Sequence, residues 1–102
     1  MNTNLLTPGN IYTFKLNSGE ELVARVVDAS KDTFAVGHPV SIAPGPQGMG
    51  LVPSMFTGNM DQPVTLNINS VALVAETDES VAAKYIEATT GIRVPDKKIV
   101  MG

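Results

Sequence analysis

Side chains able to do chemistry are few in this sequence, and they are scattered. One histidine, His38, stands in GHPVSI, so two imidazoles cannot ligate a metal within a single chain. A lone imidazole could still serve a serine nucleophile. No G-x-S-x-G elbow occurs, however, and His38 falls in phase with Phe34, Val36 and Val40, the positions expected to face a core. It is expected to pack there, beside the bend at Pro39. Glu20 and Glu21 are adjacent and therefore point to opposite faces of an extended chain, which suits solvent better than paired acid-base work. Asp28 and Asp32 bracket a turn, where carboxylates cap backbone amides. The segment PGPQGMG (44–50) has the glycine density of a phosphate loop. Neither a lysine nor a helix start follows it, so it reads as a connector without helix or strand. These residues point away from an enzyme, and no cofactor or metal is implied.

Composition narrows the class. At 102 residues the chain is most simply one domain, large enough for a core without staples. The absence of cysteine removes disulfides, thiolate zinc sites and thiol catalysis, and it suits a reducing compartment. No apolar run reaches the roughly 18 residues of a membrane span. The start MNTNLLTPGN lacks the basic residues of a signal peptide, so a cytoplasmic protein with no membrane role is expected. A net charge of -3 argues against a surface built throughout for phosphate backbones.

The elements that would position these residues are mostly strands. IYTFKL (11–16) alternates, with Tyr12, Phe14 and Leu16 on one face. After the turn at 17–20, ELVARVVD (21–28) places Leu22, Ala24 and Val26 together, opposite Glu21 and Arg25. TFAVGHPVSIAP keeps Phe34, Val36, Val40 and Ile42 in step, with Gly37 and Pro39 marking a bend or bulge. These three strands form an antiparallel meander. LVPSMFTGNM (51–60) reads as extended, and VTLNIN (64–69) alternates Val64, Leu66 and Ile68 against Thr65, Asn67 and Asn69. It runs almost unbroken into NSVALVAE, where Val71, Leu73 and Ala75 share one face and Ala72 and Val74 the other. A strand apolar on both faces needs cover on both, which a small domain commonly borrows from another chain.

The period then changes to that of a helix. Thr77, Asp78, Glu79 and Ser80 suit a helix start, Val81, Ala82, Tyr85, Ile86 and Thr89 make one stripe, and Gly91 suits a C-terminal cap. The tail IRVPDKKIVMG carries Arg93, Lys97 and Lys98 beside Ile99, Val100 and Met101.

Two of these segments carry a family resemblance. LNSGEELVARVVDASKDTFAVGHPVSI resembles the first Sm motif, and VTLNINSVALVAE resembles the second. The proline in the third strand and the helical DESVAAKYIEATTG are similar to small Sm-like proteins of T4-like bacteriophages. The resemblance covers about residues 9–91. It implies a mainly β fold, a strongly bent five-stranded antiparallel Sm-like (SH3-like) barrel with a C-terminal α-helix. The whole chain would be one such domain, with the barrel at about 9–76, the helix at about 78–91 and the tail at 92–102.

The resemblance also implies assembly. In Sm-like rings the edge of the fourth strand pairs with the edge of the fifth in the next subunit, giving a homo-oligomer of about five to seven copies. The implied interface holds Met55, Phe56, Val71, Ala72, Leu73 and Val74. RNA is the partner implied by the family, yet this sequence departs from the RNA-binding pattern. Ala24 stands where the second strand usually has glycine, the turn before the third strand reads Asp-Ala-Ser-Lys-Asp, and Asn67, Asn69 and Ser70 replace the cationic pair between the fourth and fifth strands. The nucleic-acid contacts that survive are Lys31, Asn67, Asn69, Arg93, Lys97 and Lys98, so weak RNA binding is expected. The other role implied is a ring-shaped protein-interaction or structural component, of a phage if the resemblance extends that far, acting in the host cytoplasm.

Overall fold

The computed structural model describes residues 6–29, 33–46, 48–59 and 61–90. Within them lie β1 (Ile11–Leu16), β2 (Glu21–Ala29), β3 (Thr33–Gly45), β4 (Gly48–Pro53), β5 (Val64–Asn67), β6 (Val71–Glu76) and α1 (Glu79–Thr90). A 3-10 turn, Ile68–Ser70, joins β5 to β6. All pairings are antiparallel, in the order β4-β3-β2-β1-β6, with β5 paired to β3. The protein is therefore mainly β with a C-terminal helix. No helix among the described residues is long and apolar enough to cross a membrane.

The expectation of a closed five-stranded barrel needs correction. Six strands are present among the described residues, and no ladder joins β5 to β6, so the sheet is open. The extra strand comes from the length of β3. Its first part, Thr33–Val36, pairs with β5, and its last part, Val40–Gly45, continues far enough to pair with β4. The segment 44–50 is thus the tip of a hairpin rather than a connector: Pro44 faces Met49, and Gly45 faces Gly48. Gly48 turns the chain at φ +108°, a conformation that favours glycine. The extended run expected over 51–60 ends at Pro53, and the strand expected over 64–69 stops at Asn67.

Two apolar clusters lie on opposite faces of the sheet. The first holds Tyr12, Phe14, Leu22, Ala24, Val26, Phe34, Val36, Ile68 and Val71, with the Phe14 and Phe34 rings 5.4 Å apart. The second holds Val23, Val40 and Tyr85, with Ile11, Ile42, Leu51, Val81 and Ile86 packed around them. Phe34 and Val36 thus face one way while Val40 and Ile42 face the other, although strict alternation puts all four together. The cause is a bulge. Val23 pairs with Val40 but Arg25 pairs with Gly37, so His38 and Pro39 together oppose Ala24. One extra residue reverses every side chain beyond it. The bend expected at Gly37 and Pro39 is present, and its effect on phase is what simple alternation missed.

Helix α1 covers the second face. Asp78 caps it, accepting through Oδ2 from the Ser80 amide (3.1 Å), the Ser80 hydroxyl (2.6 Å) and the Val81 amide (3.4 Å). Of the stripe expected from the sequence, Tyr85 is buried and Val81 and Ile86 pack beside it. The Gly91 cap lies outside the described residues. Tyr85 fastens the helix to the bulge: its Oη donates to the Gly37 carbonyl (2.7 Å) and accepts from the Arg25 amide (3.1 Å). Burial raises the pKa of this phenol, opposed by the Arg25 amide and the Arg25 charge.

Candidate functional site: an asparagine turn between two open edges

The turn from β5 to β6 is built by asparagines. Asn67 precedes the 3-10 turn in extended backbone, and its Oδ1 accepts from the Asn69 amide (2.9 Å). The turn is tied to the end of β1 by Asn17, whose Nδ2 donates to the Asn69 carbonyl (2.8 Å) and whose amide donates to the Ser70 carbonyl (2.8 Å). Ile68 points inward and joins the first cluster, so the polar residues on either side stay exposed. Asn67 and Asn69 are thus brought together. Part of Asn67's hydrogen-bonding capacity is spent inside the turn. Asn17 has no motif that could have marked it, because its side-chain partner, Asn69, lies 52 positions away.

Asn67 pairs with Thr33, which places the asparagine turn beside the N-terminal end of β3. Lys31, expected to contact nucleic acid, lies outside the described residues, as do Asp32 and the tail cations Arg93, Lys97 and Lys98.

The residues first considered for chemistry are dispersed. His38 is exposed and not in the core, the reverse of the expectation from phase. Its φ of 48° belongs to the left-handed region, and that conformation swings it out at the bulge. It lines a shallow apolar cavity of about 310 Å³ with Pro39, Val52, Pro53 and Thr89. Glu20 accepts a hydrogen bond from the buried Ser41 hydroxyl, which also lies 2.9 Å from Ser54 Oγ. Glu21 pairs with Lys15 at 3.7 Å, an exposed contact of small energetic weight. No histidine, aspartate and glutamate cluster among the described residues could hold a metal ion.

The predicted interface residues fall into two groups. Val71 is buried and Val74 is half-buried against the first cluster, so both belong to the chain's own core. Ala72 is exposed, and Leu73 is 66% exposed. This division corrects the alternation expected for NSVALVAE. Lys15 pairs with Leu73 and Leu16 with Val71, so Ala72 is the extra residue of a second bulge, and Val71 and Val74 face the same side. After β4 the chain bends, presenting Met55 at 43% and Phe56 at 85% exposure.

The backbone edges complete the arrangement. Among the described residues β5 pairs only with β3, and β6 only with β1, so each leaves one edge free. They sit at opposite ends of the path β5-β3-β2-β1-β6 and are joined by the 3 residues of the 3-10 turn. A row of free amides and carbonyls accepts another strand.

Beside α1, a groove of about 850 Å³ crosses the outer face of the sheet from β6 to β4. Thr13, Val23, Ile42, Met49, Leu51 and Val81 line its apolar part.

No protein-family model matches this chain, and no curated protein matches it.

Proposed function

We propose that the chain is a Sm-like subunit that assembles with its own copies into a closed ring by strand addition, the free edge of β5 in one copy pairing with the free edge of β6 in the next. The observation that carries this reading is the pair of open edges at opposite ends of one strand path. A contact between two different surface patches is heterologous, and it closes into a ring when the rotation permits. Exposed Leu73 on β6 and exposed Met55 and Phe56 ahead of β5 supply apolar surface at both edges. The antiparallel sheet and the C-terminal helix agree with the family that the sequence resembles. Light scattering across micromolar concentrations, joined with native mass spectrometry, tests the reading. A single multiple of the chain mass is expected, and a monomer at every concentration overturns it.

Such a ring serves protein interaction or scaffolding, and nucleic acid is a second reading favoured by the asparagine turn. The turn would repeat around the ring, but the chain charge of -3 repeats as well and repels phosphate at long range. No aromatic side chain lies in the 67–70 turn to stack on a base. RNA binding no tighter than about micromolar at physiological salt is expected. Fluorescence anisotropy with uridine-rich and adenine-rich oligomers at two salt concentrations tests this. Nanomolar, sequence-selective binding abolished by Asn67→Ala would make nucleic acid the primary function.

A further inference from the structure

We infer that Phe56 of one copy seats in the groove beside α1 of the neighbouring copy, an inference that rests on the ring reading above and names its side-chain contact. Phe56 is the most exposed of the large apolar side chains among the described residues, at 85%. Its own groove is not its place. The groove meets β4 at Met49, Gly50 and Leu51, whereas further along β4 Pro53 pairs with Val40 and the Ser54 amide bonds the Pro39 carbonyl. The chain therefore leaves β4 toward His38, away from the groove, before Phe56 is reached. The knob and the hole occupy different places on one molecule, so Phe56 can fill such a hole only in a second copy.

The groove is continuous with the edge that would receive that copy. Its near end is formed by Ala75 and Glu76 of β6, the strand whose outer edge is free. Phe56 precedes Val64, the first residue of β5, by eight positions, a reach of up to about 26 Å. Bringing β5 of one copy alongside β6 of another therefore leaves the groove mouth within the reach of Phe56. Lys84 stands on the groove wall, where its ammonium can cover the face of an inserted ring. A heterologous ring contact of this kind requires that one rotation satisfy both the backbone ladder and the inserted phenyl.

The chain contains no cysteine, so engineered cysteines report without background. A Phe56→Cys chain is mixed with chains carrying Thr13→Cys, Met49→Cys or Lys84→Cys, one per chain, and oxidised. Each chain holds a single thiol, so a disulfide between the two types forms only between copies. A disulfide to at least one groove position is expected. Phe56→Glu should raise the concentration at which the oligomer half-dissociates roughly tenfold or more while circular dichroism stays unchanged. If the oligomer persists by light scattering, no groove cysteine cross-links to the Phe56→Cys chain and Phe56→Glu leaves the midpoint unmoved, the inference is overturned and the ring reading stands. A monomeric unaltered protein removes both.

Discussion

The two faces of the sheet are closed by different means. On one side Phe14 and Phe34 meet ring to ring among aliphatic side chains from the strands and the 3-10 turn, a cluster in which many contacts share the load. On the other, fewer buried residues suffice because Tyr85 packs its ring against Val23 and Val40 while its hydroxyl grips the backbone at Gly37 and Arg25. The first face is secured by area and the second by area plus one directed polar contact. A face secured by area yields to cavities, and a face secured by a hydroxyl yields to loss of that hydroxyl and to alkali.

The largest effect expected is at Phe14, which is wholly buried. Phe14→Ala should cost about 3–5 kcal/mol in urea unfolding, a large share of a small domain's stability. If the cost is under about 1 kcal/mol, the first face does not carry the fold. Val74→Lys follows, because it forces an ammonium against the first cluster: a loss of about 2–3 kcal/mol is expected, whereas Leu73→Lys, one residue away, should change folding stability by less than about 0.5 kcal/mol and instead disperse the ring proposed above. Equal losses for the two would erase the distinction between core and edge on β6.

Tyr85→Phe is a subtler test of the second face. It preserves the ring but leaves the Gly37 carbonyl and the Arg25 amide without their partner, for an expected cost of about 1–3 kcal/mol. The Tyr85 pKa is raised on folding, so the folded state holds this proton more tightly than the unfolded one. Its contribution is complete below the unfolded value of about 10 and is lost as pH rises through the folded value. The unaltered protein should therefore lose stability relative to Tyr85→Phe above about pH 10. Tyr12 titrates in the opposite sense, since the Thr7 amide bonded to its oxygen at 2.8 Å lowers its pKa, and comparing the two proteins at each pH cancels it.

The smallest effect expected is at His38. Asparagine tolerates left-handed backbone better than most residues, so His38→Asn should be neutral or stabilising by about 0.3 kcal/mol in the same assay. A loss above about 1 kcal/mol would show that the imbalance between the faces involves this imidazole as well.

The sequence carried the first face plainly. Tyr12 and Phe14, Leu22, Ala24 and Val26, and Phe34 and Val36 repeat with period two within uninterrupted strands, so local alternation and tertiary burial agree. The second face was obscured because Val23 breaks the polar run of its strand, and because Val40 and Ile42 change sides at a bulge whose position, but not its effect, is marked by Gly37 and Pro39. The helix was readable from its stripe and its Asp78 cap, but its anchor is not local: the partners of Tyr85 lie 48 and 60 residues away. Hairpin β3–β4 was missed because glycine and proline suppress strand propensity, and pairing along the extended length of β3 overrides it. Of the candidate site, the asparagines and the exposed Met55, Phe56 and Leu73 were visible as residue types. The groove was not, since its walls come from every strand between β4 and β6 in the sheet order and from the helix.

The bulge at His38 and Pro39 makes the chain unequally tolerant of changes in length. Deleting one of these two residues would restore regular pairing between Val23 and Arg25 on one side and β3 on the other, with Val40 still opposite Val23, so Val40 and Ile42 would stay beneath α1; deleting Ser41, where pairing is already regular, would instead turn Ile42 toward the opposite cluster. The same single-residue deletion at Pro46, at the exposed tip of the β3–β4 hairpin, shortens a turn and inverts nothing upstream of it. One-residue deletions in this protein should therefore accumulate at the bulge and at the hairpin tip, two short segments rich in glycine and proline, and be excluded from the regularly paired stretch between them.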